Sequence, residues 1–381
     1  MKKLFSVLLA VAMFATMFVG CQKAGSAGNA IQIGGIGPLT GTTAVYGIAT
    51  KQGAEVAVEE INALGGLQFS LNFQDDEGDA EKGVNAYNKL KDWGMDLLYG
   101  CTTTGSCVAV AGKSYADRYF QLTPSASSTD VTSGKDNVFQ LCFTDPNQGY
   151  KAAQIIQEKG LGTKIAAIYN NSDPYSTGIY TAFAEKCAEL NLEIVSTTTF
   201  PSDDTSDFTV QLTEAKNAGA DLVFLPIYYT PASLILAQAK TMGFEPTFFG
   251  CDGMDGILDM EGFDISLAEG LVLMTPFNAW SPDERVSSFV TKYKEKYNAV
   301  PNQFAADGYD CIYAIYEACK QAGITADTPY TEICDKLSKM FADGSFTTDG
   351  LTGTNMTWDN TGAVSKAPVV VKIQGGIYVD I

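Results

Sequence analysis

From residue 31 onward, short apolar runs alternate with longer stretches in which apolar residues recur at helical spacing. The run at 31–37 predicts a strand, and 48–64, which ends at a Gly-Gly pair, predicts a helix. Residues 80–93 predict the next helix, with Asp79 as its N-cap. The pattern predicts further helices at about 105–118, 147–160, 176–191, 205–218, 231–242, 283–298, 304–322 and 330–341. It predicts further strands at about 67–73, 95–99, 119–123, 138–143, 164–169, 192–199, 221–226, 247–250 and 270–275.

Repeated strand–helix–strand units of this kind predict an α/β fold, with doubly wound parallel sheets sandwiched between helices. Such folds bind ligands beyond the carboxyl ends of their strands. The tail breaks the alternation, because residues 350–381 combine Gly-rich turns with two β-like runs at 368–373 and 376–380. Late strands often close back onto an earlier domain, and no Pro- or Ser-rich linker divides the middle of the chain. We therefore expect two lobes joined by several short crossings.

The beginning of the chain has the pattern of a secretory signal. Two lysines precede an apolar run at 4–19, and a glycine is followed at once by Cys21. The junction resembles a bacterial lipoprotein signal, which implies lipidation of Cys21 after removal of residues 1–20. A plain secretory signal with an incidental cysteine is the alternative. Residues 21–30 are mostly small and polar, so we expect a lipid-anchored flexible tether and a location outside the cytoplasm, in a periplasm or on the outer cell surface.

Composition narrows the function classes. The chain has 381 residues, with 25 Lys and Arg against 44 Asp and Glu and no histidine, for a formal charge of −19. Loss of the two lysines in the signal would lower the charge to −21. Without histidine there is no imidazole base, no His-based triad and no His-ligated metal. The acid excess disfavours nucleic acid as a partner, and phosphate clamps are scarce because Arg118 and Arg285 are the only arginines.

Several local motifs have ordinary structural explanations. Residues 35–41 (GIGPLTG) only partly match a dinucleotide-binding loop, and helical periodicity starts well after the last glycine, so we predict no nucleotide or other cofactor. The acidic runs at 75–79 and 203–207 lack EF-hand spacing; we expect turns that lead into helices, and no metal site. Eight cysteines follow Cys21 without a CxxC pair, and we favour buried free thiols over a disulfide framework.

Two hydroxyl-rich loops directly follow apolar strands: CTTTGS at 101–106 and TPSASST at 123–129. Helix capping, the alternative explanation, accounts for one Ser or Thr in each loop but not for so many. At strand carboxyl ends, these hydroxyls and free backbone N–H groups would cradle a carboxylate. A nucleophilic role for Ser125 or Ser127 would need an activating base, and neither a histidine nor an SxxK spacing is present.

Aromatic and acidic residues occupy further strand ends. Tyr46, Tyr175 and Tyr228 lie in turns, where a single exposed tyrosine is often incidental. Three together suggest aromatic walls around a small ligand. Asp252, in FFGCDG after another strand, supplies a carboxylate that can pair with an ammonium group. These residues favour a binding site for a zwitterion over a catalytic centre.

Taken in order, the segments resemble the type I periplasmic solute-binding proteins of ABC transporters, in particular the leucine/isoleucine/valine-binding family. The opening IGGIGPLTGTTAVYGIATKQGAEVAVEEINALGGL resembles the family's first strand, loop and helix, and FQDDEGD its second strand end. TPSASSTDVT resembles its Pro-Ser-Ala turn, YNNSDPYSTG its hinge-side tyrosine loop and FFGCDG a later strand end. The tail from FTTDG to KIQGG is similar as well, so the resemblance covers nearly all of residues 31–381.

The resemblance implies two doubly wound lobes, joined by a multi-crossing hinge, that close over a ligand. Residues 31–145 and 277–355 would form the N-terminal lobe, and residues 146–276 and 356–381 the C-terminal lobe. The implied function is that of an extracytoplasmic substrate-binding protein of an ABC importer, not an enzyme. It would deliver a branched-chain or related small amino acid to permease subunits. We expect a monomer held at the membrane through Cys21.

Carried over position by position, the resemblance also implies a ligand site. Thr104 and Ser127 would bind the α-carboxylate through hydroxyl and backbone N–H groups. Asp252 would hold the ammonium group, together with backbone carbonyls of the two hydroxyl-rich loops. The implied ligand-binding residues are Tyr46, Thr102, Thr103, Thr104, Ser125, Ala126, Ser127, Tyr175, Tyr228 and Asp252.

Two departures from the family leave the ligand open. Thr104 stands where amino-acid binders usually have Ser, and Asp252 is one methylene shorter than the Glu of the best-known members. A smaller or more polar amino acid, or an amide or keto-acid relative, is therefore an alternative to leucine, isoleucine or valine. A ligand-sensing receptor subunit and an extracellular hydrolase are alternative roles. Because histidine is absent, we expect binding to be nearly flat between about pH 5 and pH 8 unless burial shifts a carboxylate.

Overall fold

The structure is a computed structural model that describes residues 30–381. Its first sheet consists of β1 (Ala30–Gly37), β2 (Gln68–Asp75), β3 (Leu97–Gly100), β4 (Gln121–Thr123) and β5 (Val138–Gln140). These strands are parallel and lie in the order β2-β1-β3-β4-β5. The predicted signal at 1–20 and Cys21 lie outside the described residues, as does the predicted tether except for Ala30.

The second sheet is mixed. It consists of β6 (Lys164–Asn170), β7 (Glu193–Phe200), β8 (Leu222–Leu225), β9 (Thr247–Gly250), β10 (Val272–Thr275), β13 (Val369–Gln374) and β14 (Ile377–Asp380). The order is β14-β13-β10-β9-β8-β6-β7, and β13 runs antiparallel to both β10 and β14. A separate pair joins β11 (Thr347–Thr348) to β12 (Met356–Thr357). The late strands thus close back onto an earlier sheet as expected, but as an antiparallel hairpin at its edge.

Helices surround both sheets. Those within residues 30–381 are α1 (Ala44–Ala63), α2 (Ala80–Trp93), α3 (Thr104–Asp117), α4 (Asp145–Lys159), α5 (Pro174–Leu190), α6 (Thr209–Asn217), α7 (Tyr229–Thr241), α8 (Glu284–Tyr297), α9 (Gln303–Gln321) and α10 (Tyr330–Ala342). Most of them separate consecutive parallel strands, as the alternation in the sequence predicts. The predicted α/β fold of two doubly wound lobes is confirmed, with the antiparallel edge as an addition.

Side-chain-to-backbone hydrogen bonds mark where two of the helices begin, although only Asp79 is itself an N-cap residue. Asp79, the expected N-cap of α2, accepts a hydrogen bond from the Lys82 N–H at 2.8 Å. The helix expected from 205 starts only at Thr209, because Asp207 accepts a hydrogen bond from the Thr209 N–H at 2.9 Å and the preceding residues form a loop. Local hydrogen bonds therefore fix helix starts that apolar periodicity leaves uncertain by several residues.

Each sheet packs against helices through an apolar core on each of its two faces. One core joins the first sheet to α9 and α10, and a second joins the second sheet to α7 and α8. Tyr46 of α1 and Phe304 of α9 belong to the second core, although both helices also pack on the first sheet. The two lobes are therefore in direct contact, and the helices that begin between them are shared.

Trp358 and Val364 correct one expected boundary. Both belong to the core of the first sheet, and the Trp358 indole donates to the Gln140 carbonyl oxygen at 2.7 Å. The expected division assigned residues 356–381 wholly to the C-terminal lobe. The packing of Trp358 indicates that the chain passes from the N-terminal lobe into the C-terminal lobe later than residue 356, nearer to β13. The remaining lobe boundaries stay a prediction.

The eight cysteines after Cys21 are buried and free, as expected. Burial raises the pKa of the Cys101 thiol well above its ordinary value, so this group, the first residue of the first hydroxyl-rich loop, is a poor nucleophile. Within residues 30–381, no helix combines the length and the apolar character that crossing a membrane requires.

Candidate functional site

Loops at the carboxyl ends of β3, β4, β8 and β9 meet between the two lobes. There they enclose a cavity of about 10 Å³, which is room for about one water molecule. The cavity is lined by Tyr46, Thr102, Thr103, Thr104, Ser125, Tyr175, Tyr228, Asp252 and Phe304. Eight of the ten residues expected at the site therefore meet around it. Ala126 and Ser127 are buried in the same loop as Ser125 but do not line the cavity.

Asp252 forms the acidic end of the cavity. The residue is 4% exposed, and its Oδ1 accepts a hydrogen bond from the Tyr175 hydroxyl at 2.7 Å. Its backbone N–H donates to Gln148 Oε1 at 3.1 Å, and its carbonyl oxygen accepts from Gln303 Nε2 at 2.8 Å. Burial raises the pKa of Asp252 to about 6 against the lowering effect of Tyr175 and Gln148. Flat binding between about pH 5 and pH 8 is expected only if burial shifts no carboxylate, and burial shifts the pKa of Asp252 into this range.

Aromatic rings close the cavity on one side. The rings of Tyr175 and Tyr228 stack with their centroids 4.8 Å apart, and Tyr46 packs edge-on against Tyr228 at 5.6 Å. Phe304 lies tilted against the Tyr46 ring at a centroid distance of 4.2 Å. Gly253 leaves space for this arrangement, since a Cβ at that position would come within 2.7 Å of the Tyr175 hydroxyl oxygen.

The Tyr46 hydroxyl joins the two lobes. It donates to the Gly253 carbonyl oxygen at 2.5 Å and accepts a hydrogen bond from the Tyr229 N–H at 3.1 Å. A second connection runs from the Thr230 hydroxyl to the Thr42 carbonyl oxygen at 2.7 Å. The lobes thus stand closed, and a ligand larger than a water molecule can enter only if they separate.

The opposite end of the cavity is formed by the start of α3. Thr103 is the N-cap residue, and its hydroxyl makes no capping hydrogen bond. The first N–H groups of a helix have no intrahelical acceptor and carry the positive end of the helix dipole. In the neighbouring loop, the Ser127 hydroxyl is fully buried; it lies next to the Asp145 carboxyl group but makes no hydrogen bond of standard geometry with any of the described residues. This end of the site therefore suits an anionic group such as a carboxylate.

Sequence reasoning missed three residues at the site: Asp145, Gln148 and Phe304. Asp145 begins α4 and is 1% exposed, and within residues 30–381 its carboxyl group has the Ser127 hydroxyl as a neighbour but makes no hydrogen bond of standard geometry. Burial raises the pKa of Asp145 well above its ordinary value, the adjacent Ser127 hydroxyl lowers it and the charge of Asp252 raises it further. The only available signal, DPNQG, is also an ordinary helix start, and nothing local marks Phe304.

Lys366 is a buried cation near the hinge, and it is already paired. Its Nζ lies 2.8 Å from Asp307 Oδ1, with the two side chains 1% and 2% exposed, and it also donates to the Thr352 hydroxyl at 2.7 Å. Asp252 forms no salt bridge with any of the described residues. The site therefore has a carboxylate at one end without a cation of its own and hydrogen-bond donors at the other.

Residues 30–376 match the sequence profile of the periplasmic binding proteins. The Leu/Ile/Val-binding protein homolog 3 of Brucella melitensis biotype 1 is 29% identical over 303 residues, which span 78% of this chain and 81% of the relative. A leucine-binding protein of Thermotoga maritima MSB8 superimposes with a TM-score of 0.82 at 25% identity, over 92% of this chain and 97% of that one. A branched-chain amino acid transporter substrate-binding protein of Streptococcus pneumoniae, solved with isoleucine, gives 0.81 at 27% identity, over 92% and 100%.

Proposed function

The chain belongs to the periplasmic binding protein family and has its type I fold, and from this premise we propose that it is the substrate-binding component of an ABC importer. It carries a branched-chain or related small amino acid between its lobes and delivers this ligand to a membrane permease. Family membership gives a location outside the cytoplasm. The protein would be a monomer, and a lipid on Cys21 would hold it at the membrane.

One observation carries the choice of ligand: a buried carboxylate without a cation and a helix N-terminus meet at one cavity between the lobes. An amino acid zwitterion has both complementary groups. In the proposed complex, Asp252 accepts hydrogen bonds from the ammonium group. The carboxylate accepts hydrogen bonds from Thr104, from Ser127 and from the N–H groups of the first turn of α3. Rings from both lobes then enclose the side chain.

The energies are sufficient without an arginine. Each hydrogen bond to a charged group contributes about 1.5–3 kcal/mol, and ordering the ligand and closing the lobes offset part of the sum. A net binding free energy of about −8 kcal/mol, which corresponds to a micromolar Kd, is therefore reasonable. The lobes would open by breaking the bonds of Tyr46 and Thr230 across the cleft and would close again around the ligand.

The proposed role is binding without turnover. The Ser125 hydroxyl is engaged, because it donates to the Thr102 carbonyl oxygen at 2.6 Å. The relatives described above are named as binding proteins, which supports the same reading.

Isothermal titration calorimetry with the twenty common L-amino acids, their 2-oxo acids, a hexose and a nucleoside tests the proposal. We expect at least one amino acid to bind with a one-to-one stoichiometry and a micromolar Kd, and to be recovered unchanged by mass spectrometry. Binding of the hexose or the nucleoside while every amino acid stays weaker than millimolar would reject the proposed ligand class. Chemical conversion of the ligand would reject a pure binding role.

A further inference from the structure

The two hydroxyl-rich loops contain two kinds of hydroxyl group. Some have a partner inside the protein: Ser106 donates to Asp76 Oδ2 at 2.6 Å, and Ser125 donates to a backbone carbonyl oxygen of the other loop at 2.6 Å. Three others are buried and make no hydrogen bond of standard geometry with any of the described residues. They belong to Thr102, Thr103 and Ser127.

An amino acid backbone accounts for only one of these three groups. Under the proposed function, Ser127 binds the ligand carboxylate. Thr102 and Thr103 are 2% and 5% exposed and line the ligand cavity, and neither hydroxyl has a protein partner among the described residues. The Thr103 hydroxyl lies toward Gly78 in the wall of a neighbouring space, whereas the Thr102 hydroxyl lies against Gly37 of β1 and reaches a ligand only after a change of its side-chain rotamer. An aliphatic ligand side chain would keep both hydroxyls buried and unpaired, which is costly. A ligand side chain that forms hydrogen bonds would satisfy them.

A polar chamber continues the cavity beyond Thr103 and Tyr228. This second space, of about 290 Å³, lies between the lobes and shares these two residues with the ligand cavity. Hydroxyl and amide groups dominate its walls, among them Thr43, Asn170, Ser172 and Thr230. The closed cavity has almost no spare volume, so the chamber is where a ligand side chain of several atoms finds room once the lobes adjust around it.

The fixed charges of the chamber are already engaged. Glu77 forms an ion pair with Lys82 at 2.5 Å. Asp173 caps α5 and accepts a hydrogen bond from the Tyr175 N–H at 3.1 Å. The chamber therefore offers hydroxyl and amide groups to a neutral side chain more than it offers an unpaired charge to an ion.

We propose that the ligand is an amino acid with an uncharged hydrogen-bonding side chain, a hydroxyl or an amide, which bonds to the hydroxyls of Thr102 and Thr103 and points toward the chamber between the lobes. The inference rests on the proposed function and selects among small amino acids. Threonine, serine, asparagine and glutamine belong to this class, whereas leucine, isoleucine and valine do not. Thr102 and Thr103 are then specificity-determining residues.

Ligand pairs of equal shape test the proposal. Threonine and valine differ by a hydroxyl in place of a methyl group, and asparagine and leucine are close in shape. We expect at least one polar ligand to bind the wild-type protein ten times or more tighter than its apolar counterpart, measured by calorimetry at pH 8. If valine and leucine bind as tightly as threonine and asparagine or tighter, or if lysine or glutamate binds tightest, the proposal is wrong while the amino-acid function stands. If no amino acid binds, the proposed function itself fails.

Isosteric variants then assign the preference to particular residues. Thr102→Val and Thr103→Val keep the side-chain shape, and Thr241→Val, at an exposed position on α7, makes the same chemical change away from the site. We expect the preference to fall to less than threefold in the double Thr102→Val/Thr103→Val variant and to stay at the wild-type value in Thr241→Val. Thermal melting verifies that each variant is folded. A preference that survives in the folded double variant would overturn the assignment.

Discussion

The replacement Asp252→Asn removes one buried charge and almost no volume. Burial raises the pKa of this carboxyl from 3.8 to about 6. Between about pH 4 and pH 6, the folded protein therefore holds a proton that the unfolded chain has already lost. This contribution to stability is complete below about pH 4 and is lost as the pH rises through about 6. Because two pKa units correspond to about 3 kcal/mol, the stability gained by the variant at pH 8 should exceed its gain at pH 5 by about 1–2 kcal/mol.

Although Asp252→Asn should stabilise the protein, it should weaken the binding of the amino acid. An ammonium group bound to Asp252 forms a buried charge pair, and loss of one partner of such a pair costs about 2–4 kcal/mol. The Kd of the preferred amino acid should therefore rise about 30- to 1,000-fold in Asp252→Asn at pH 8. The 2-oxo acid with the same side chain lacks the ammonium group, so its Kd should change less than about threefold.

Calorimetry measures both ligands, and thermal unfolding followed by circular dichroism at pH 5 and pH 8 measures stability. Asp203→Asn serves as the control, because it makes the same charge change at an exposed position; its binding should match that of wild type. Equal losses for the amino acid and the 2-oxo acid would show that Asp252 shapes the pocket without pairing with the ammonium group. An unchanged amino-acid Kd would refute the reasoning altogether.

Three further predictions follow from the same contacts. Below about pH 6, protonation of Asp252 competes with the ligand, so the affinity for the amino acid should fall by up to tenfold per pH unit and level off above about pH 7. Calorimetry from pH 4.5 to pH 8 measures this, and an affinity that does not change with pH would contradict the prediction. Tyr46→Phe removes the hydroxyl that bridges to Gly253 across the cleft, so the Kd should rise about tenfold, and an unchanged Kd would mean that closure does not depend on this bond. Lys366→Met leaves Asp307 buried and unpaired, so urea unfolding should show that the free energy of unfolding falls by about 3–5 kcal/mol. A second change, Asp307→Asn, should restore a large part of this free energy. If it restores none, the loss comes from packing and not from the unpaired charge.

The sequence predicts most of the fold because its signals are local. Apolar runs and helical periodicity locate nearly every strand and helix, and Asp79 marks the start of α2 in the sequence as in the structure. The antiparallel attachment of β13 depends on which distant strand it meets, and no local pattern encodes that. The same holds for Trp358, whose place in the first core is decided by a contact with Gln140, more than 200 residues earlier.

The features of the site likewise fall into those that the sequence predicts and those that only the folded structure shows. Loops that follow parallel strands of one sheet meet at one edge of that sheet, which is why Thr102 and Ser125 could be placed together from sequence order. Asp252 follows a strand of the other sheet, and only the resemblance to the family placed it at the same site. The raised pKa values of Asp145 and Asp252 and the unpaired hydroxyl of Thr103 are properties of burial. They depend on how closely two lobes far apart in sequence approach each other, so they become visible only in the folded structure.

A crystal structure of the protein with its tightest-binding amino acid tests the central claim most directly. We predict closed lobes with the ligand in the cavity between them, its ammonium nitrogen about 2.7–3.1 Å from an oxygen of Asp252 and its carboxylate at the first N–H groups of α3. A ligand bound on the outer surface of one lobe, or bound in the cleft with its carboxylate toward Asp252, would contradict the account.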